Sequence, residues 1–264
     1  MEYYKNIGLY YDMDACDYDS RYWNNFVVQQ MRQSFREHVK KYDARSMLEI
    51  GFGTGLDLIH FGKTHPERAI CGIDVSAEMV RIAKEKAKIH TCENVDIIHG
   101  CVDEMEKLFP NRKFDLIYVF FGALNTVKNL NDAGKNLKKV LNPNGVIVVT
   151  YVNKWYLNGM IIETFRLRFS KVFARLKTTW NGYSPSHILP CHCYTARQVK
   201  LAFSETKVLY KQGYTIVHPG WFYTKINMKL GRRMSRILWH LDLILSKTFL
   251  WRFGEYGLLV FKNE

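Results

Sequence analysis

The sequence predicts an α/β protein whose twisted, mostly parallel sheet is covered by helices on both faces. From Ser46 onward, short apolar runs alternate with helical patterns, the order expected of repeated strand–helix–strand units. The first two of these runs end on acidic residues, Glu49 and Asp74. Between them lies a turn with glycine at every second position, where the backbone can approach a ligand closely because no Cβ intervenes. Together these features predict a ligand site at the carboxyl edge of the sheet.

The first half of the chain divides into a helical cap and a core. Residues 1–45 are rich in tyrosine, and their apolar residues then recur with a helical period, which predicts an N-terminal helical cap. Residues 46–153 form the predicted Rossmann-like core, with Ser76 as the N-cap of a helix that runs to about Lys88. The tripeptide 143–145 is expected to stop the last core helix. The five predicted core strands cover residues 47–50, 69–74, 95–99, 114–120 and 145–151.

The second half of the chain carries less distinct patterns. Residues 154–206 are predicted to form a basic helical insertion that caps the active site, with one or two amphipathic helices over 155–179. Residues 207–264 are expected to complete the sheet with strands at 207–217 and 256–261. A basic amphipathic helix is predicted between those strands, at 226–249. The segment 155–179 is a candidate for a solvated helix packed on its own domain, for a lid over the site or for a membrane-surface helix. If the acceptor is a membrane lipid, both basic segments would be docking elements.

Composition and charge narrow the range of functions. With 264 residues and 47% hydrophobic content, the chain is long enough to bury a full core. The net charge is +13, and it is segregated: residues 154–252 hold 17 basic and 3 acidic side chains, whereas residues 1–153 are balanced. Such a basic region favours an anionic partner. Six cysteines, some inside predicted strands, and the absence of an N-terminal apolar stretch predict a reduced, cytoplasmic setting.

The spacing of the glycines selects the class of cofactor. A dinucleotide site has the pattern G-x-G-x-x-G, whose third glycine would fall at Leu56, but the chain has Gly51, Gly53 and Gly55. In addition, Glu49 before the turn would repel a pyrophosphate and would suit an ammonium group. The pattern therefore argues against a nicotinamide dinucleotide.

The stretch from Glu49 to Gly55 resembles the first motif, E-x-G-x-G-x-G, of the class I S-adenosylmethionine (SAM)-dependent methyltransferases of the small-molecule type. The resemblance implies seven strands with an antiparallel last strand and SAM as the cofactor. Adenine is then expected near Val102 and Asp103, although Cys101 stands where the family often has an acid. The remaining cofactor residues that the resemblance implies are Tyr11, Glu49, Gly51, Gly53, Thr54, Gly55, Asp74, Val75 and Phe120.

Candidates for contact with the methyl acceptor are fewer. Asn125, in the stretch after the fourth strand, is a candidate for orienting the acceptor, or alternatively a turn residue. His187 and His192 are candidate general bases, with hydrogen-bonded structural histidines as the alternative. The run Cys191-His192-Cys193 has no second pair at zinc-ligand spacing, so no metal is predicted.

The sequence thus predicts an enzyme that transfers a methyl group from SAM to oxygen, nitrogen or carbon of a small acceptor that is anionic or presented at a membrane. One alternative is a lipid or quinone-precursor methyltransferase that docks peripherally on an anionic membrane. Another is a catalytically silent protein that binds SAM or RNA. The loop after the fourth strand lacks the Asp/Asn-Pro-Pro-aromatic motif of nucleic-acid amino methyltransferases, which argues against a nucleic-acid acceptor.

Overall fold

A seven-stranded sheet forms the centre of the molecule. The computed structural model describes residues 2–180, 189 and 191–264. The strands are β1 (Ser46–Ile50), β2 (Ala69–Asp74), β3 (Val95–His99), β4 (Phe114–Val119), β5 (Leu141–Val152), β6 (Thr206–Tyr214) and β7 (Tyr256–Asn263). Their order across the sheet is β3-β2-β1-β4-β5-β7-β6. The first five strands are parallel, and β7 runs antiparallel between β5 and β6. The predicted fold class is confirmed.

Helices cover both faces of this sheet. Because β1 and β4 are buried on both sides, they read as nearly continuous apolar runs. The long helix α11 contains Gly231 with a left-handed φ of 65°, so it is kinked. The helices are α1 (Glu2–Asp14), α2 (Tyr18–Trp23), α3 (Phe26–Lys40), α4 (Leu56–Thr64), α5 (Ala77–Ile89), α6 (Met105–Leu108), α7 (Leu130–Lys139), α8 (Leu157–Phe165), α9 (Phe169–Val172), α10 (Ala196–Ala202) and α11 (Thr224–Leu245).

Some element boundaries differ from those that the sequence predicts. Helix α7 ends at Lys139, and β5 begins at Leu141, ahead of the Pro143–Gly145 tripeptide that was expected to separate the two. The predicted basic segment 155–179 is broken into α8, α9 and a short 3-10 turn. None of the helices in the described part of the chain is long and apolar enough to span a bilayer.

The strand order reverses between β1 and β4. Chain order runs outward from β1 through β2 to β3 on one side, and from β4 to β5 on the other. In an open parallel sheet, ligands bind in the crevice at the carboxyl ends of the strands where this reversal occurs. The loops after β1, β2 and β4 meet at this point, and the N-terminal helices lie across it.

Candidate active site

A cavity of about 650 Å³ lies at the carboxyl ends of β1, β2 and β4. The first turn of glycines, the end of β2 and the loop after β4 each supply part of its wall. Seven of the residues that the sequence nominates for the cofactor lie here together: Tyr11, Gly51, Gly53, Asp74, Val75, Val102 and Phe120. The other residues that line the cavity are Tyr4, Tyr18, Ile50, Ile73, Met79, Gly100, Cys101, Phe121, Ala123 and Val127.

The glycine turn follows β1 directly and needs glycine for two physical reasons. Gly51 and Gly53 have φ values of 69° and 58°, a conformation that other residues adopt at a cost. There is also little space: a Cβ on Gly51 would lie 2.5 Å from the Cβ of Ala123, and one on Gly53 would lie 3.3 Å from the Tyr18 ring. The turn therefore presents bare backbone to the cavity.

Asp74 ends β2 and turns its carboxylate back toward the glycine turn. Oδ2 accepts the backbone N–H of Gly53 at 2.8 Å, and Oδ1 accepts that of Ser76 at 2.9 Å. Burial raises the pKa of this carboxyl to about 6, although both backbone donors favour the charged form. Each oxygen keeps further acceptor capacity, so the carboxylate is suited to a vicinal pair of hydroxyl donors.

Helix α1 covers the cavity because it is fixed to the start of α5. A Cβ on Gly8 would lie 2.5 Å from the carbonyl oxygen of Val75, so the two backbones are in close contact. Asp12 accepts a hydrogen bond from Ser76 Oγ at 2.6 Å and one from the Glu78 N–H at 3.0 Å. A carboxylate at the N-terminus of α5 also meets the positive end of the helix dipole. The N-terminal helices, which the sequence predicts as a helical cap over residues 1–45, thus form a lid over the cavity.

A second set of hydrogen bonds, made by Asp19, holds the start of α2 against the glycine turn. Asp19 accepts hydrogen bonds from Thr54 Oγ1 and from Lys86 Nζ, each at 2.5 Å, and Lys86 also reaches the Thr54 carbonyl at 3.0 Å. Thr54 therefore faces the lid, and neither it nor Gly55 lines the cavity. Gly55 is instead the left-handed N-cap of α4.

The far end of the cavity is bounded by the turn after β3. Gly100, Cys101 and Val102 line it, whereas Asp103 does not. Instead, Asp103 Oδ1 accepts the Tyr4 hydroxyl at 3.0 Å and so holds that ring in the wall. The alternative in which Val102 contributes directly fits this arrangement better than replacement of the missing acid by Asp103.

Glu49 lies below the glycine turn and does not line the cavity. Its carboxyl accepts the Tyr118 hydroxyl at 3.0 Å and is 2% exposed. Burial, with the nearby Asp57 carboxylate, raises its pKa well above the ordinary value. The expectation that Glu49 contacts an ammonium group directly is not supported by this position.

A second cavity of about 610 Å³ adjoins the first. Tyr11, Tyr18 and Phe121 line both cavities and so form the wall between them. Phe121 has a left-handed φ of 50°, which places the residue after β4 at this wall. Most of the lining is aromatic, and the remaining lining residues are Tyr10, Asp14, Arg21, Tyr22, Val28, Arg32, Trp221 and Tyr256.

Three arginines and two acids form ion pairs in or beside the second cavity. Arg21 and Asp14 pair at 2.6 Å. Arg32 and Arg36 both pair with the buried Asp57.

Arg32 is 4% exposed, and its guanidinium carbon lies 4.5 Å from the Phe121 ring centroid. Its Nε donor has no hydrogen-bond partner among the described residues. A buried donor without a partner costs free energy.

A methyltransferase-domain model matches residues 41–214 of this chain. The chain belongs to the methyltransferase family. Its matched residues contain the whole parallel part of the sheet, with both the glycine turn and Asp74.

Relatives differ in how much of their length they share with this methyltransferase. An uncharacterized protein from Methanocaldococcus jannaschii is 28% identical over 95% of this chain and 88% of its own. Demethylmenaquinone methyltransferase from Staphylococcus aureus is 32% identical over 47% of this chain, which spans only 52% of that enzyme. Among solved structures, the [4+2]-cyclase SpnF superposes with a TM-score of 0.64 at 18% identity, over 98% of this chain and 95% of its own. At that identity, the likeness concerns the fold alone.

The first cavity fits SAM, the cofactor of this methyltransferase. The Asp74 carboxylate, with spare acceptor capacity on both oxygens, suits the ribose hydroxyls, and the bare backbone at Gly51 and Gly53 gives a ligand close access. Apolar side chains at Val75, Met79 and Val102 suit a nucleobase. When bound, SAM supplies a methyl group already activated by a sulfonium.

The two acceptor-contact candidates that the structure describes, Asn125 and His192, do not line either cavity. The Asn125 side chain is buried and bonds three backbone groups: it donates to the carbonyls of Val152 and His192 and accepts the Val152 N–H. Both amide hydrogens are therefore used within the protein. His192 Nδ1 donates to the Thr178 carbonyl oxygen at 2.8 Å, and His192 lines a separate surface depression. His187 lies outside the described residues.

Sequence reasoning missed two residues beside the methyltransferase's cofactor cavity. Phe121 lines both cavities, and Arg32 lines the second. Arg32 is hidden in a helical pattern, where a basic residue normally reads as solvent-exposed.

Proposed function

We propose that this methyltransferase transfers the methyl group of SAM to a small anionic acceptor bound in the second cavity. The observation that carries the proposal is buried Arg32, whose Nε has no partner among the described residues and which lines a cavity that adjoins the cofactor cavity. A carboxylate, phenolate or enolate oxygen on the acceptor would satisfy that donor. A hydrogen bond to a charged group is worth about 1.5–3 kcal/mol, enough to select an anion over its neutral isostere.

The groups around the cavity also suit an acceptor that arrives already ionised. No histidine lines either cavity in the described part of the chain. Burial raises the pKa values of Tyr11, Tyr18 and Tyr256, so these phenols stay protonated and act as hydrogen-bond donors. An anionic nucleophile needs no general base, because it has no proton to lose.

In the proposed reaction, the acceptor's lone pair forms a bond to the methyl carbon as the carbon–sulfur bond breaks. The electron pair of that bond returns to sulfur, and the products are the methylated acceptor and neutral S-adenosylhomocysteine (SAH). The chain contributes position: Tyr11, Tyr18 and Phe121 form the boundary across which the two reactants meet. Holding reactants in line removes much of the entropic barrier, on the order of several kcal/mol. The lid formed by α1 and α2 keeps water from the reacting groups.

Incubation with methyl-labelled SAM and a small-molecule extract, followed by separation on an anion exchanger, tests this proposal. Methylation of an ionised oxygen removes a negative charge. The labelled product is therefore expected to elute from the anion exchanger earlier than the acceptor from which it was formed. Label found only in products of neutral precursors would contradict the proposal. The same assay compares the Arg32→Lys variant with Arg36→Lys. Arg36→Lys is the matched control, since both residues pair with Asp57 but only Arg32 lines the cavity.

A second candidate acceptor is a quinone precursor or a related lipid ring. The aromatic lining of the second cavity, with Tyr22, Trp221 and Tyr256 among its residues, favours a flat ring. The partial match to demethylmenaquinone methyltransferase agrees with this candidate, although this chain spans about half of that enzyme. Transfer of label to a demethylated quinone, with no transfer to anionic fractions, would favour the lipid ring over the anionic acceptor.

A further inference from the structure

Helix α11 presents a stripe of apolar residues to solvent and buries two polar residues. Met234, Ile237, Leu241 and Ile244 follow one another at intervals of three and four residues and so lie on one face of the helix. All four are exposed, Ile237 by 60% and Ile244 by 63%. The residues that α11 buries are Ser235, Trp239 and Asp242. A water-soluble surface helix normally has the opposite arrangement.

Asp242 explains why α11 is held in this orientation. Its Oδ1 accepts the backbone N–H of Val217 at 2.7 Å, and the neighbouring His218 N–H lies 3.4 Å from the carboxylate. The carboxylate therefore ties α11 to the chain after β6, and Trp239 packs against the Tyr214 ring. Turning the apolar face inward would break these contacts, so the exposed stripe is a fixed feature of the fold.

The turn between α8 and α9 exposes a second set of apolar side chains. Phe165 is 85% exposed and Leu167 is 76% exposed, and Phe169 and Phe173 also project into solvent. Leu167 has a left-handed φ of 56°, a conformation that is costly for a leucine unless its surroundings require it. Four large apolar side chains within nine residues form a patch of the kind that marks an interaction site.

The segment that carries the second set and the residue before α11 contact each other. The Tyr223 hydroxyl, one residue before α11, donates to the Gly159 carbonyl of α8 at 3.4 Å. Arg166, which follows α8, lies over the Tyr223 ring at 5.2 Å. We call the α8–α9 apolar residues together with the α11 stripe the basic apolar surface.

The charge of this surface has one sign. Residues 154–180 contain six basic side chains and one acidic, Glu163, which is buried. Residues 224–249 also contain six basic side chains and one acidic, the buried Asp242. Among the basic residues of the two segments, Arg175 is buried and pairs with Glu255, so it does not contribute to the surface. The exposed or half-buried basic residues are Lys154, Arg166, Arg168, Lys171, Lys177, Lys225, Lys229, Arg232, Arg233, Arg236 and Lys247.

We propose that the basic apolar surface docks the protein peripherally on an anionic lipid membrane. Apolar side chains set among arginine and lysine are the composition of interfacial helices, whose apolar face enters the headgroup region while the cations meet acidic lipids. A second copy of this chain would cover the apolar residues equally well, but it would bring two strongly positive surfaces together without acidic groups to offset them. Charge complementarity therefore favours the lipid surface.

The chain just before α11 links the second cavity to α8. Trp221 lines that cavity, and Tyr223, two residues further along the chain, contacts α8. Docking would place the Trp221 side of the second cavity near the headgroups. Membrane binding is nevertheless a property of the surface alone, so it is measured without any methyl acceptor.

Co-sedimentation of the full chain with phosphatidylcholine vesicles, with and without phosphatidylglycerol, tests the proposal. Binding is expected to the anionic vesicles and not to the neutral ones. The double variants Phe165→Ser/Phe169→Ser and Ile237→Ser/Ile244→Ser are each expected to weaken it about tenfold or more, since each removes two exposed apolar groups. Arg232→Gln/Arg233→Gln is expected to weaken binding at low salt by a similar factor.

Ile89→Ser is the matched control, because Ile89 is 75% exposed on α5, in the half of the chain without excess charge. It is expected to leave vesicle binding unchanged. Thermal unfolding midpoints are measured to show that the variants fold. They are expected to be unchanged, because the substituted side chains are exposed. Absence of binding to anionic vesicles at low salt overturns the proposal, as does equal weakening by Ile89→Ser. A dimer in sedimentation velocity that Ile237→Ser/Ile244→Ser dissociates would instead assign the surface to a second copy.

Discussion

The backbone N–H of Gly53 donates to Oδ2 of Asp74 at 2.8 Å, which joins the glycine turn to the end of the neighbouring strand. The turn and the acid come from different strand–helix units, 21 residues apart, and the parallel register of β1 and β2 brings them together. Any ligand that uses the bare backbone of the turn therefore meets a carboxylate beside it.

The pH dependence of SAH binding follows from this carboxylate. Burial raises the pKa of Asp74 to about 6 in the free protein, and hydroxyl donors from a bound nucleoside favour the charged form. Binding then lowers the pKa, so affinity is full above pH 6 and falls as pH drops through 6. We expect a loss of about tenfold per pH unit below that point. Calorimetric titration with SAH from neutral to acidic pH measures it. Asp74→Asn should bind weakly at every pH, and an acid limb retained by that variant would contradict the assignment to Asp74.

The attachment of the lid predicts a second effect on cofactor binding. Asp12→Ala removes the acceptor for Ser76 Oγ and the Glu78 N–H at the start of α5. We expect SAH to dissociate faster and to bind more weakly by about 1–3 kcal/mol, because α1 loses its fixation over the cavity. Stopped-flow displacement measures the dissociation rate. Asp17→Ala is the control, since Asp17 lies on the exposed 3-10 turn after α1, and both variants behaving alike would argue against the lid.

Gly53 offers a test of the turn itself. Gly53→Ala places a Cβ at φ 58° and 3.3 Å from the Tyr18 ring. We expect a stability loss of about 1–2 kcal/mol from the left-handed conformation, together with weaker SAH binding from the displaced ring. Gly231→Ala has a φ of 65° with no atom within 4 Å of the new Cβ, so it carries the backbone cost alone. Denaturant unfolding should show a loss of stability for both variants. SAH titration should show a loss of affinity for Gly53→Ala alone.

Arg32 tests the acceptor side. Lysine keeps the positive charge but lacks the Nε donor, so Arg32→Lys should reduce kcat/KM for the acceptor by about tenfold or more, through KM. SAH affinity should be unchanged, because Arg32 does not line the cofactor cavity. Steady-state kinetics with the methyl acceptor measure both parameters. Arg36→Lys should leave the acceptor KM as it is, and an equal loss in both variants would mean that Arg32 acts only through Asp57.

The sequence predicts the sheet, and it nominates seven residues that line the first cavity, because those features are local. The glycines at 51, 53 and 55 follow β1 and the acid at 74 ends β2, and strand ends are readable from apolar runs. The outcome differs for Thr54 and Asp103. Their neighbours in sequence line the cavity, but their own side chains turn to Asp19 and Tyr4 on the lid.

The lid and the acceptor cavity were less predictable because they depend on long-range packing. Gly8 meets Val75, and Arg32 meets Asp57 and the Phe121 ring, across tens of residues of chain. A helical period indicates which residues share a face, but not which helix covers a cavity. For the same reason, residues 154–206 were expected to cap the site, although none of those that the structure describes lines either cavity.

Single-turnover transfer of labelled methyl from SAM, measured for an anionic acceptor and its neutral isostere, tests the central claim most directly. The account predicts that label moves to the anionic acceptor with one equivalent of SAH formed. It predicts little transfer to the isostere. It also predicts that Arg32→Lys reduces methyl transfer to the anionic acceptor and that Arg36→Lys does not. Preferential transfer to the isostere, or transfer to the anion that is indifferent to Arg32, would contradict it.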